Sequence, residues 1–247
     1  MTKIIIEEIR RLIQNNKPDL TDQQKSRLYK VINPDIEPYK IFGIRVAIID
    51  KIVRNVSTNF NITFTEAIEI FKELISTNIE EEKFAGFLFL NRFKKFFNEK
   101  IITLFYDELT KHCHTWSVLD STCIRVLGPF LAKKGNEELA KQMIKDWSDS
   151  KNLWIKRGSM VTLLKIYMVK KQIEMACLNN LVQKMLPYSN ENYIEKGIGW
   201  LIKTCSNIDP DQIFAYLIKN KDKFTRLILR YGSEKLSKER RSIILRK

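Results

Sequence analysis

AIEIFKELISTN, residues 67–78, sets Ala67, Ile70, Phe71, Leu74 and Ile75 three and four residues apart and then runs into Ser76, Thr77 and Asn78. That spacing puts the five apolar side chains on one face of an α-helix, and the polar trio ends it. A one-sided stripe needs a neighbour to cover it. The same rhythm returns at Leu139, Met143, Ile144 and Trp147, whereas Met160–Met168 is apolar nearly all round and reads as a helix packed between others. Glycine and proline are scarce, eight and six in 247 residues, and with Asn, Asp and Ser they cut the chain into short helices. Breaks are expected near Asn16–Pro18, Asn33–Pro38, Ser57–Asn61, Ser76–Asn78, Gly128–Pro129, Gly135–Asn136 and Ser148–Asn152, and again near Pro187–Asn190, Asn207–Pro210, Asn220–Asp222 and Gly232–Ser233. This rhythm predicts an all-α fold: a curved α-solenoid of stacked antiparallel HEAT-like helix pairs, one domain over residues 1–247, with a basic concave surface.

With 44% apolar residues the chain can bury a substantial core. Its net charge of +14 points to a polyanionic partner, and the distribution is uneven. Residues 1–82 carry 12 basic and 13 acidic side chains, residues 83–218 carry 20 and 13, and residues 219–247 carry 11 and 3. A uniformly lysine-rich surface would not leave the first third neutral. Cys113, Cys123, Cys177 and Cys205 lie in apolar helical patterns without paired spacing and read as reduced core residues. His112, Cys113 and His114 are adjacent, so on a helix they point apart, and no metal site is expected. With no secretory h-region and no run of eighteen apolar residues, the expected location is the cytoplasm.

The chemistry concentrates in TWSVLDST, residues 115–122. Trp116 and Asp120 are four apart and share a helix face, where an indole and a carboxylate together can stabilise a developing cation. Asp120 serving only as a helix cap or as an ion-pair partner is the other reading. In Tyr193–Cys205 the stripe is Ile194, Ile198, Leu201 and Cys205, and Trp200 falls off that face between Lys196 and Lys203. An aromatic ring between cations suits a sugar-phosphate strand, although a tryptophan packed against an adjacent repeat would look the same. Arg157 projects along the stripe of Trp154, Val161, Leu164 and Met168, so its guanidinium must reach a carboxylate, a groove or a phosphate.

Four segments in order, PYKIFGIRV (residues 38–46), TWSVLDST, NLWIKR (residues 152–157) and KGIGWL (residues 196–201), resemble the AlkD-type DNA alkylation repair proteins. The resemblance runs from about residue 38 to about residue 245. It implies a C-shaped solenoid of HEAT-like repeats acting as a monofunctional DNA glycosylase on the cationic purines 7-methylguanine and 3-methyladenine. Carried over by motif, Asp120 matches the catalytic carboxylate, Trp116 and Trp200 the two concave-surface tryptophans, and Arg157 the cleft arginine. Lys203 stands where the family usually has a basic residue near DNA, and Lys196, Lys156 and Tyr39 join the expected DNA contacts. Ala47 stands where the family often has proline, and Asp50 near an often basic position. The resemblance implies no metal and no organic cofactor, duplex DNA carrying alkylated bases as partner, no obligate protein partner, and a monomer, nucleoid-associated when bound.

Two other functions fit a basic helical chain: a non-catalytic module binding branched or distorted DNA, and a scaffold for an acidic protein. Salt-sensitive duplex binding separates the DNA readings from the scaffold. Loss of base release without loss of binding in Asp120→Asn separates the enzyme from the module.

Overall fold

A computed structural model describes residues 1–246. Apart from an isolated bridge between Lys40 and Ile79, the described residues form helices and the loops between them. No described helix is long and apolar enough to cross a membrane. The chain gathers into two compact units, Met1–Val126 and a second that starts at Leu127.

The first unit contains α1 (Thr2–Asn15), α2 (Asp22–Ile32), α3 (Val46–Asn59), α4 (Phe64–Ile75), α5 (Glu80–Asn91), α6 (Lys100–His112) and α7 (Trp116–Thr122). The stretch AIEIFKELISTN forms most of α4, and its five stripe residues are fully buried. Thr63 and Glu66 cap the helix reciprocally: the Thr63 hydroxyl accepts the Glu66 N–H, and the Glu66 carboxylate accepts the Thr63 N–H. α5 lies against α4 and α3, and α1 covers α3 and α4 with Ile5, Ile6, Ile9 and Ile13.

The second unit contains α8 (Gly128–Leu131), α9 (Glu137–Asp149), α10 (Leu153–Lys170), α11 (Met175–Met185), α12 (Asn192–Ser206), α13 (Pro210–Lys219), α14 (Arg226–Gly232) and α15 (Lys238–Leu245). α10 is its centre, packed against α8, α9 and α12, and α12 in turn packs against α13 and α14. The all-round packing expected of Met160–Met168 holds as far as Tyr167, with Lys165 half-buried; Met168, in the last turn before the left-handed cap at Lys171, is exposed. Within each unit the stacking of short helices follows the pattern in the sequence.

The expected break at Gly128–Pro129 does not occur. After α7 the chain widens into a π turn, Cys123–Leu127, and continues directly into α8. Proline lacks an N–H and crowds the carbonyl four residues back, and Pro129 sits in the opening turn of α8, where no such donor is required. A second difference is Cys177, which is half-buried, whereas Cys113, Cys123 and Cys205 are buried as expected.

Candidate functional site

α7 begins with a built cap. The Thr115 hydroxyl accepts the Val118 N–H at 3.2 Å. Trp116, the first helical residue, is half-buried; its indole N–H donates to the Val31 carbonyl at 3.1 Å and its ring lies on the cluster of Ile32, Tyr39 and Ile41. Asp120 follows about one turn, roughly 6 Å, along the helix. It is 6% exposed, which places it in a medium of low dielectric, where Coulomb attraction between charges is strengthened.

Beneath this turn lies the start of α5. Glu80, Glu81, Glu82 and Lys83 are four charged residues in a row, and all four are buried. Glu80 accepts hydrogen bonds from the Tyr39 hydroxyl at 2.5 Å and from the Thr115 hydroxyl at 3.0 Å. Desolvation pushes its carboxyl above the usual range, and these hydroxyls pull it back. Glu81 accepts the backbone N–H groups of Phe42, Gly43 and Ile44, which fixes the loop whose tight turn uses Gly43 at φ +83°. Glu82 meets Arg10 of α1 at 3.1 Å. Lys83 donates to the carbonyls of Ile75 and His112 at 2.7 and 2.6 Å, and burial lowers its ammonium to about 8. This one helical turn thus ties α1, the loop before α3, and the ends of α4 and α6 to the start of α7.

Sequence reasoning passed over this turn. The signal was present: Phe84–Leu90 is apolar throughout apart from Gly86, so α5 is enclosed on all sides, and charges at its start must find partners inside. His112, Cys113 and His114 do diverge. The Cys113 thiol donates to the Thr115 carbonyl, His112 lies 3.8 Å from Glu108, and His114 pairs with Asp35 at 2.9 Å.

In the second unit, Ile194, Ile198, Leu201 and Cys205 of α12 are fully buried and Trp200 is half-buried, off that face as its periodicity required. Lys196 and Lys203 are also half-buried, and Lys203 holds Glu234 at 2.6 Å. The glycines of KGIGWL allow close helix packing. A Cβ on Gly197 would lie 2.7 Å from the Met160 methyl of α10, and one on Gly199 would lie 2.7 Å from Tyr231 of α14. Arg157 is buried, and its Nη1 donates to the Tyr193 carbonyl at 2.5 Å, in the first turn of α12. Trp154 packs on the Tyr193 ring, centroids 4.9 Å apart.

Two expected DNA contacts are core residues instead. Tyr39 is 5% exposed with its hydroxyl committed to Glu80. Lys156 is 8% exposed, donates to the Ser148 carbonyl and stands 4.2 Å over the Tyr188 ring. In both cases a polar tip reads from sequence as a surface group, while the tertiary contact supplies an internal partner. Arg157 has a backbone carbonyl, that of Tyr193, among its partners.

The structure therefore brings Trp116 and Asp120 onto one helix of the first unit, and Arg157, Lys196, Trp200 and Lys203 onto the paired helices α10 and α12 of the second. No curated protein matches this sequence. Over residues 9–236, which take in α7, the turn of buried charges and the KGIGWL helix, the sequence matches the family model described as DNA alkylation repair enzyme, and the chain belongs to that family.

Proposed function

We propose that this enzyme of DNA alkylation repair is a monofunctional glycosylase that hydrolyses the N-glycosidic bond of cationic alkylated purines, 7-methylguanine and 3-methyladenine, in duplex DNA. The observation that carries the reading is Asp120, a carboxylate enclosed in α7 one turn from the half-buried indole of Trp116. Alkylation at N7 of guanine or N3 of adenine makes the base cationic and a good leaving group. As the bond to C1′ breaks, its electron pair leaves with the now neutral base and positive charge moves to the sugar. The Asp120 carboxylate stabilises that charge and orients the water that adds to C1′, whose proton passes to the carboxylate or to solvent. The face of Trp116 adds attraction to the same cation. Trp200, between Lys196 and Lys203, contacts the sugar-phosphate strand, with the lysines displacing counterions. Arg157 supports that helix from beneath through the Tyr193 carbonyl.

The test is to incubate the protein with N-methylated duplex DNA and quantify free 7-methylguanine and 3-methyladenine, with Asp120→Asn in parallel. Wild type releases both bases, and Asp120→Asn loses release by about 100-fold or more while still binding DNA. Absence of release by wild type with duplex binding intact would replace this reading by a module that binds distorted DNA.

A further inference from the structure

We propose that Glu80 is a positioning residue for the Trp116–Asp120 helix, setting the pose of its first turn through the hydroxyl of Thr115. The inference rests on the glycosylase reading for its consequence in catalysis, but its structural content stands apart from it. Glu80 holds the hydroxyl of Thr115, the residue before Trp116, at 3.0 Å from one carboxylate oxygen and 3.3 Å from the other. Thr115 does two things at once: its oxygen caps the Val118 N–H and its hydrogen goes to Glu80. The rotation of α7 about its axis is therefore tied to a carboxylate 3% exposed, whose Oε2 also accepts the Tyr39 hydroxyl.

The same network fixes the indole. Trp116 packs on the cluster of Ile32, Tyr39 and Ile41, which includes the residue whose hydroxyl donates to Glu80, and its N–H is anchored at Val31. The backbone N–H of Asp35 donates to the His114 carbonyl, and the Asp35 carboxylate meets the His114 ring, which joins the loop after α2 to the residue before Thr115. A shift in Glu80 thus moves the cap, the indole and, one turn on, Asp120. Displacement of a reacting group by about 1 Å lowers rate by about 100-fold, so a small rotation suffices.

The experiment uses full-length protein labelled with 5-fluorotryptophan. The Trp116 fluorine resonance is assigned by its loss in Trp116→Phe. In Glu80→Gln the Trp116 resonance shifts or broadens while those of Trp147, Trp154 and Trp200 stay in place. Single-turnover base release falls at least 10-fold with duplex affinity within about 3-fold of wild type. Thr115→Val reproduces both effects, and Thr115→Ser, which keeps cap and hydroxyl, restores both. An unmoved Trp116 resonance in a folded Glu80→Gln protein overturns the proposal. So does a moved resonance with undiminished release. A wild type that releases no base fails the glycosylase reading instead, and the fluorine shift then decides the role of Glu80 by itself.

Discussion

Lys83 shows what burial does to a single charge. In an unfolded chain its ammonium titrates near 10.5, and in the fold it titrates at about 8 because desolvation disfavours the charged form. Below pH 8 both states are protonated and the folded state bears the full desolvation penalty. Between about 8 and 10.5 the folded protein has shed the proton while the unfolded chain retains it, so stability rises with pH through that window, by roughly 3 kcal/mol at most. A neutral amine still has two N–H groups for its two carbonyl acceptors, Ile75 and His112. Urea denaturation from pH 7.5 to 10.5 should show this rise in wild type and its absence in Lys83→Met. Glu234 gives the converse at the surface, where Lys203 holds its carboxyl below the usual range. Glu234→Gln releases Lys203 for a phosphate, and duplex affinity at low salt should rise a few-fold, about the strength of one exposed ion pair. Anisotropy titrations of wild type and variant measure it, and equal affinities would remove Lys203 from the DNA contact.

At the scale of elements, α12 depends on having no side chain where α10 and α14 press against it. Gly197→Ala forces a methyl against the Met160 side chain and should destabilise the protein by about 1–3 kcal/mol in urea melts. Met160 is flexible, and Met160→Ala in the same chain should return part of that loss, a coupling measurable in a double-mutant cycle. α4 is held at its start by the Thr63–Glu66 pair, and Thr63→Ala should lower stability by about 1 kcal/mol without touching DNA binding. These elements were legible to different degrees. The stripe of α4 and the off-face position of Trp200 follow from helical period alone. The passage from α7 through Cys123–Leu127 into α8 was not legible, because Gly128 and Pro129 are local breakers whose effect a change of helical register absorbed.

For the whole molecule, the charge gradient along the chain predicts an electrostatic affinity for DNA, concentrated after residue 83. The logarithm of affinity should fall linearly with the logarithm of salt, and Lys196→Gln with Lys203→Gln should flatten the slope by about 1 per lost phosphate contact. Matched changes at Lys3 and Lys25 in the neutral N-terminal third should leave the slope nearly unchanged. Equal effects at both places would make the +14 net charge, and not the Trp200 helix, the source of affinity.

The all-α class, the off-face position of Trp200 and the placement of Trp116 and Asp120 on one helix were determined by the sequence itself, because helical period converts spacing into direction without reference to any distant residue. Partner choice for buried polar groups was decided only by tertiary structure. Tyr39 and Lys156 turned inward, and Glu80–Lys83 became the junction of five segments. A hydrogen bond across 35 or 41 residues, as between Glu80 and Thr115 or Tyr39, is set by how helices stack, and a buried charge is tolerated only where that stacking supplies its partner.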